Sequence, residues 1–205
     1  MRLEPFTLSG VHVALEPLSP EHVPSLVSAA AADRSTFGFT GVPEDAVSMA
    51  AYVDTLRHDA AHDPVVPFVQ RRITDGQIVG CTRFMNLAWW GGHDTPVEVE
   101  IGGTWLAGDA QRTALNSEAK LLLLSHAFER WHVHRVAICT DARNDRSRRA
   151  IERLGASLEG VLRRHRASMG HAVDQNGPRD TAVYSIIDDE WAAVRQRLED
   201  RLRGA

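Results

Sequence analysis

The sequence predicts an α/β fold in a single domain, in which helices and strands alternate through the middle of the chain and strands dominate near its end. Three observations support that prediction. A strand, a long apolar helix and a second strand follow one another between residues 97 and 140. Glycine-containing turns join short alternating segments at Ser9-Gly10 and Asp75-Gly76. The 205 residues, 43% of them hydrophobic, suit one domain that buries a core.

The first half of the chain contains two predicted hairpins and two predicted helices. Alternating apolar residues flank both glycine turns, which is typical of paired strands. Ser19 followed by Pro20 is a good helix N-cap and first-turn pair, and the acidic pair Glu44-Asp45 suits the positive end of a helix dipole. The predicted elements are strands at residues 6–8 and 11–15, helices at 19–32 and 44–62, and strands at 65–72 and 78–86.

The second half contains the central unit and a β-rich end. Apolar residues at 97, 99 and 101 alternate with Glu98 and Glu100, which indicates a strand with one apolar and one acidic face. The run from Leu121 to Leu124 covers more than one face of its helix, so this helix should be largely buried. Gly155 is placed to end the following helix. The predicted elements are strands at 97–106, 135–140, 159–165 and 181–187, and helices at 111–131, 144–154 and 188–202.

Composition argues against several classes of protein. The formal net charge of -4 disfavours a general nucleic-acid binder. No apolar run approaches the roughly 20 residues that a membrane span needs, and nothing resembles a signal peptide. Cys81 and Cys139 lie far apart in predicted strands, without metal-ligand spacing. We interpret them as buried free thiols of a cytoplasmic protein.

The ten histidines raise the question of a metal site. His58 and His62 lie four residues apart on one predicted helix, and His132 and His134 flank a valine. Neither pair has a clear third ligand nearby, and no HExxH motif is present. We therefore expect no metal.

The loop before the long helix, residues 108–116, is a candidate anion site. It lacks the GxxxxGK[ST] signature of P-loop nucleotide hydrolases and the GxGxxG signature of dinucleotide-binding folds, so neither class is expected. The first N–H groups of a helix have no partner within the helix and lie at the positive end of its dipole, so a phosphate suits them. Arg112 would reinforce such a site. An ordinary helix start after a strand is the alternative interpretation.

The wider order of segments resembles the GNAT superfamily of N-acetyltransferases. Residues 100–106 (EIGGTWL) and 111–116 (QRTALN) resemble its cofactor-binding motif, a strand followed by Q/R-x-x-G-x-G/A at a helix start. Residues 140–151 (TDARNDRSRRAI) and 154–156 (LGA) resemble the family's next segment. Residues 159–163 (EGVLR) and 180–185 (DTAVYS) look like the closing strands of the ribosomal-protein N-terminal (RimJ/RimL-type) branch. The resemblance spans roughly residues 3–191 and departs from the motif at Ala114 and Asn116, where the family has glycine or a small residue.

The resemblance implies a mixed, twisted and splayed sheet of about seven strands flanked by helices, with acetyl-CoA as the cofactor. The strand ending at Leu106 would part from the strand ending at Thr140, and the gap would admit the pantetheine arm. Gly102-Gly103 independently predict a bulge or a close backbone approach. The cofactor-binding residues that the resemblance implies are Trp105, Leu106, Ala107, Gln111, Arg112, Thr113, Ala114, Leu115, Asn116, Asn144 and Ser147.

Acetyl transfer needs a neutral amine, so a base helps. The resemblance places the catalytic glutamate of the histone-acetyltransferase branch at Glu100, and burial there would raise the pKa of the carboxyl and improve it as a base. Glu98 on the same face is a substitute, and pairing of both carboxylates with surface arginines is the alternative. Ser147 is the first candidate acid for the leaving thiolate and Tyr184 the second. Where the ribosomal branch has an acidic residue, this chain has Arg166 or a neighbouring basic residue.

The sequence leaves the acceptor open. A protein N-terminal α-amine is favoured by the resemblance, and a small amine such as an antibiotic or polyamine is the alternative substrate. A non-catalytic acyl-CoA-binding regulatory protein is the alternative from another class, motivated by Ala114. Exposed aromatic residues could contact the acceptor or form a homodimer interface. The candidate acceptor contacts are Phe37, Trp89, Trp90, Glu98 and His165.

Overall fold

The computed structural model describes residues 3–62, 65–174 and 177–204. Eight strands of these residues form one sheet in the order β1-β2-β3-β4-β5-β6-β8-β7, one strand more than about seven, because the short first segment pairs as a strand of its own. The strands are β1 (Leu8–Ser9), β2 (Val13–Pro17), β3 (Val66–Arg72), β4 (Ile78–Ala88), β5 (Glu98–Leu106), β6 (Arg135–Asp141), β7 (Ser157–Ala167) and β8 (Pro178–Ile187). The α-helices are α1 (Val23–Ala31), α2 (Ala46–His62), α3 (Ala114–Ser125), α4 (Asp145–Leu154) and α5 (Asp188–Arg203).

The predicted mixed α/β sheet is confirmed, and it splays at its one parallel pair. β5 and β6 pair only from Glu98 opposite Arg135 to Glu100 opposite Ala137, whereas the other neighbouring strands pair antiparallel. β5 nevertheless continues to Leu106 and β6 to Asp141. A gap between the two strands therefore opens immediately beyond Glu100.

A bulge in β5 accompanies the gap. Cys81 pairs with Trp105 and Arg83 with Gly102, so β5 has one residue more than β4 over this stretch. Gly103 takes a φ of +57°, and a Cβ there would meet the Arg83 guanidinium at 2.8 Å. Glycine is the residue that accepts both conditions. The bulge predicted from the glycine pair is confirmed, and such a bulge bends its strand.

The core divides into two clusters on opposite faces of the sheet. The larger cluster buries side chains of α3 and α5, such as Leu123 and Val194, against β2 to β6 and β8. The smaller one packs α1 and α2, through Leu26 and Met49, against the other face near Trp105. The long central helix is thus largely buried, as its leucine run predicts.

The carboxylate of Glu118, in α3, fixes the amino-terminal hairpin to this core. Its oxygens accept the N–H groups of Val11, His12 and Val13 at 2.8, 2.6 and 2.8 Å. Three backbone donors satisfy a carboxylate that is almost fully buried, which removes most of the cost of burying it. The hairpin and the central helix are consequently one packed unit.

The predicted helix over residues 111–131 is wrong at its start, and its last six residues are π-helical. Thr113 is the N-cap, its Oγ1 accepting the Leu115 N–H at 3.3 Å, so α3 begins three residues later than expected. Residues His126–Trp131 form a π-helical turn that ends at His132 in the left-handed conformation. No helix among the described ranges is long and apolar enough to cross a bilayer. Both cysteines are free; Cys81 is buried, whereas Cys139 is only half-buried.

Candidate active site

The loops that follow the two splayed strands meet across the gap. Gln111, after β5, donates from Nε2 to the Leu106 carbonyl and to Thr36 Oγ1, both at 2.9 Å. Arg146, in the first turn of α4, donates to Gln111 Oε1 at 3.2 Å and to the Thr36 carbonyl at 2.7 Å. Three segments are thereby joined at the mouth of the gap, namely the α1–α2 connection, the β5–α3 loop and α4.

The start of α3 forms a regular capped helix end despite Ala114. The residue in this loop with a positive φ is Arg112, at +61°, whereas Ala114 and Asn116 lie in the first helical turn. Alanine is the best helix former, so it fits its position without strain. The first-turn N–H groups have no intrahelical acceptor, and the Thr113 hydroxyl takes only that of Leu115. The departure from the family motif therefore leaves the loop intact.

The end of β5 turns one set of backbone groups into the gap. The Ala107 N–H donates to the Val79 carbonyl at 2.7 Å, so this residue faces β4. The backbone N–H and C=O groups of adjacent strand residues point in opposite directions, so those of Leu106 face the gap. The hydrogen bond from the Gln111 side chain to the Leu106 carbonyl agrees with this direction. Of the predicted stretch 105–107, only Leu106 thus offers its N–H to the gap. The Trp105 side chain is buried under α1 and α2.

Glu100 lies at the fork of the gap and is held by three side chains. Arg166 donates to both of its oxygens, at 2.9 and 2.7 Å, and Asn86 Nδ2 donates to Oε2 at 2.7 Å. The half-buried Cys139 thiol also contacts this carboxylate. Glu100 itself is 5% exposed. A carboxylate with this many donors is stabilised in its ionised form.

The expectation that burial raises the pKa of Glu100 is wrong. Burial does push the pKa upward, but the hydrogen bonds and charge of Arg166, with the Asn86 amide, outweigh it, and the pKa lies below the ordinary value. The carboxylate is therefore fully ionised at neutral pH. Arg166 comes from β7, 66 residues away in sequence, which explains why the sequence analysis did not pair the two residues.

The two candidate acids lie on the α4 side of the sheet. The Tyr184 hydroxyl donates to Glu152 Oε1 at 2.8 Å and accepts from Arg148 Nε at 3.1 Å, which fixes it against α4. Tyr184 pairs with Ile138, so it faces away from the neighbouring Cys139 and from Glu100. Ser147 is half-buried in the first turn of α4, where Asn144 Oδ1 accepts its N–H at 3.0 Å. Asn144 is thus the N-cap of α4.

The aromatic candidates are not gathered at the gap. Phe37 is buried and packs edge-on against Trp105 at 5.9 Å. Trp89 and the exposed Trp90 follow β4, whose connection enters β5 at its first residue, the end opposite the gap. Trp90 stacks there on His134. The two tryptophans therefore lie at the end of β5 opposite the gap.

The remaining candidates lie on a central strand, β5, and on the edge strand, β7. Glu98 shares a face with Glu100 but forms an ion pair with Arg135, which also contacts Glu159. His165 is exposed on β7. Within the described ranges, no three His, Cys, Asp or Glu side chains are arranged to hold a metal ion. The His62 side chain lies outside the described residues.

One buried group over the β4–β5 pair was missed by the sequence analysis. Lys120 of α3 is 5% exposed, and its Nζ donates to Thr104 Oγ1 at 2.7 Å, beside the β5 bulge. Thr104 Oγ1 in turn hydrogen-bonds Thr82 Oγ1 at 2.9 Å. Burial lowers the pKa of Lys120 to about 7, and no carboxylate of the described residues offsets that shift. Its place within an apolar helical run, residues 119–124, is the signal that could have identified it.

A splayed parallel strand pair, a helix start beside its gap and an acidic residue at its fork define the class of acyl-CoA-dependent acetyltransferases. The chain matches the Acetyltransferase (GNAT) domain family over residues 12–157 and belongs to that family. The resemblance of the sequence to the GNAT superfamily is therefore confirmed.

Individual relatives agree with this assignment. A Bacillus subtilis (strain 168) protein named "Putative ribosomal N-acetyltransferase YdaF" is 30% identical over 118 residues, which are 57% of this chain and 57% of that protein. A GCN5-related N-acetyltransferase structure from Brucella melitensis is 26% identical, with a TM-score of 0.82 and coverage of 98% and 87%. A T. thermophilus structure titled "putative acetyltransferase" is 32% identical, with a TM-score of 0.80 and coverage of 98% and 100%.

Proposed function

We propose that this protein transfers the acetyl group of acetyl-CoA to a primary amine, by direct attack of the amine on the thioester while both substrates are bound. The observation that carries the proposal is the gap between β5 and β6, which has the α3 start near one end and Glu100 at its fork. Family membership supports the same reaction.

The cofactor would lie along the gap. Its pyrophosphate suits the first-turn N–H groups of α3, with Arg112 and Arg146 near that end as cationic partners. The pantetheine arm would follow the backbone edge of β5. The Leu106 N–H, which faces the gap, is placed to donate to the thioester oxygen as negative charge develops on it.

Glu100 would act through its negative charge rather than by accepting a proton. Its ionised carboxylate stabilises the positive charge that appears on the amine nitrogen as the C–N bond forms. The nitrogen's proton then passes to solvent, and Ser147 or Tyr184 is the proposed source of the proton for the departing thiolate. Without a strong base the acceptor must itself supply neutral amine. At pH 7 about a tenth of an α-amine is neutral, against less than about a thousandth of a lysine amine.

This argument favours an α-amine as the acceptor, and a protein N-terminus is the proposed form. The name of the Bacillus subtilis relative, a ribosomal N-acetyltransferase, supports a protein acceptor. A small amine is the second candidate. Mass analysis of products from panels of peptides and small amines separates the two, because modification of small amines alone would refute the protein acceptor.

The first experiment is calorimetric titration of acetyl-CoA into the protein and into Arg112→Glu. The expected result is saturable binding that the charge reversal weakens at least tenfold, about 1.4 kcal/mol. Arg201→Glu, an exposed arginine on α5, is the matched control and should bind normally. Absence of binding at millimolar cofactor would overturn the proposal.

A further inference from the structure

Two arginines face each other on the closing strands, and only one of them is neutralised. Arg166 of β7 is directly opposite Arg179 of β8. Like charges directly opposite destabilise a sheet unless something offsets them. Arg166 has Glu100. Among the described residues no carboxylate lies within 4.0 Å of the Arg179 guanidinium, whose Nε donates to Thr181 Oγ1 at a long 3.4 Å.

The nearby carboxylates are already committed. Both oxygens of Glu100 accept from Arg166. Asp141, also buried, accepts the N–H, Nε and Nη2 of Arg143 at 2.9, 2.9 and 2.8 Å. Asp180, the next residue along β8, is exposed, its charge acts on Arg143, and its Oδ1 accepts the Arg164 N–H at 2.8 Å. Among the described residues of this cluster, the half-buried Arg179 is the guanidinium without a carboxylate within 4.0 Å.

Arg179 lies on the same face of the sheet as Glu100. Asp141 pairs with Thr181, so the side chain of Arg179, two residues before Thr181, is on the face of Asp141 and Cys139. Burial and the adjacent Arg166 lower the pKa of Arg179, while the charges of Asp141, Cys139 and Glu100 act in the opposite direction. A half-buried cation in these surroundings is stabilised by an added anion.

We propose that Arg179 binds a carboxylate of the acceptor, so that the acceptor class is a primary amine carrying a carboxylate a few bonds away. This inference rests on the proposed function. The amine would lie against Glu100 and the carboxylate against Arg179. Arg166, which holds Glu100, is the cross-strand neighbour of Arg179, and the Cβ atoms of such neighbours are about 5 Å apart. A peptide with an acidic residue at its N-terminus and a small amino acid share this chemistry.

The test compares matched acceptors that differ only in charge. One arm uses peptides with Asp or Asn as the first residue, and the other uses β-alanine and β-alanine amide. Each arm measures kcat/KM with acetyl-CoA. If Arg179 contacts the carboxylate, kcat/KM for the acid should be about ten times that for its amide, or more. This ratio is expected for the class of acceptor, peptide or small amino acid, that the protein uses. A ratio near one in both arms overturns the inference.

Variants assign the preference to this side chain. Arg179→Gln should bring the ratio to about one, Arg179→Lys should retain part of it, and Arg201→Gln should leave it unchanged. A ratio retained in Arg179→Gln refutes the role of Arg179, and thermal unfolding of each variant verifies that it folds. If no acceptor is acetylated although CoA binds, the proposed reaction fails. The inference is then decided by calorimetry of the acidic and amide acceptors with the CoA-loaded protein, where equal affinities overturn it.

Discussion

One ionisable side chain is buried on each side of β5, and the two differ in whether an opposite charge offsets the cost of burial. On one side Glu100 is surrounded by Arg166 and Asn86, and its pKa falls although burial pushes it upward. On the other side Lys120 has only the Thr104 hydroxyl, and burial lowers its pKa to about 7. Glu100 therefore stays charged, whereas Lys120 is balanced between its two forms at neutral pH.

The contrast teaches that equal burial does not give equal protonation behaviour. Each residue is 5% exposed. The difference is an opposite charge within hydrogen-bonding distance, which repays the desolvation of Glu100 and is missing for Lys120. The proposed chemistry uses the compensated side, because a group that stabilises a developing positive charge must already be ionised.

The largest expected effect is on the uncompensated side, from Lys120→Met. Between pH 7 and 10.5 the unfolded chain binds a proton at this lysine that the folded chain does not, so stability rises with pH over that window. A shift from 10.5 to about 7 corresponds to about 5 kcal/mol of destabilisation below pH 7. The methionine variant should lose this pH-dependent rise and be more stable than the parent near pH 6. Urea unfolding of both proteins at pH 6 and 10 measures this difference in the free energy of unfolding.

Parallel stability curves for parent and variant would contradict this prediction. Other groups titrate in the same range, including Cys81, but they are common to both proteins and cancel in the difference. Lys120→Arg is the matched control. A guanidinium stays charged, so that variant should be no more stable than the parent at any pH in the window.

On the compensated side, Glu100→Gln should lower kcat about 100-fold, roughly 2.7 kcal/mol of transition-state stabilisation. Amide nitrogen and oxygen keep the shape of the side chain but remove its charge. Because the role is electrostatic, the loss should be the same between pH 6 and 9, and acetyl-CoA affinity should not change. Steady-state kinetics across pH measure this. A loss confined to low pH would instead identify Glu100 as a proton acceptor.

The sequence predicted the strands and the bulge of β5 better than it predicted the different protonation of Glu100 and Lys120. Alternation identified the acidic and apolar faces of β5, and Gly102-Gly103 identified the bulge, because both are local properties of the strand. The parting of β5 and β6 came from family resemblance. The position of Trp89 and Trp90 could be predicted from chain direction alone. Both residues lie in the β4–β5 connection, and that connection leads into the first residue of β5.

What sequence could not supply are contacts between distant segments. The sign of the Glu100 pKa shift depends on Arg166, which reaches it from β7. Local inspection of residues 97–106 gives the burial contribution, which has the wrong sign, and the alternative of pairing with arginines could not name the partner of Glu100. The same limit applies to Arg112. Its positive φ follows from how the loop joins a 3₁₀ turn at Gly108–Ala110 to the cap at Thr113, not from any preference of arginine.

Arg166→Gln sharpens the comparison by making Glu100 resemble Lys120. With the guanidinium gone, burial becomes the larger influence and the pKa of Glu100 rises. The acid limb of the kcat/KM profile should therefore move to higher pH. A loss of about tenfold at pH 5.5 is expected, comparable to one charge-assisted contact, with a smaller loss at pH 8. Arg166→Lys keeps a charge and should shift the limb less. An unmoved acid limb would show that this ion pair does not control Glu100.

The smallest expected effect concerns the helix that brings Lys120 to β5. Thr113→Ala removes the hydroxyl that caps α3 and should cost about 1 kcal/mol of stability, because the Leu115 N–H loses its acceptor. Thr113→Ser keeps the hydroxyl and should stay near the parent. If the same first turn binds pyrophosphate, the alanine variant should also bind acetyl-CoA a few-fold more weakly, and saturating cofactor should restore part of its stability. Urea midpoints measured with and without acetyl-CoA separate the two effects. Equal destabilisation in both conditions would mean that the cap serves the helix alone.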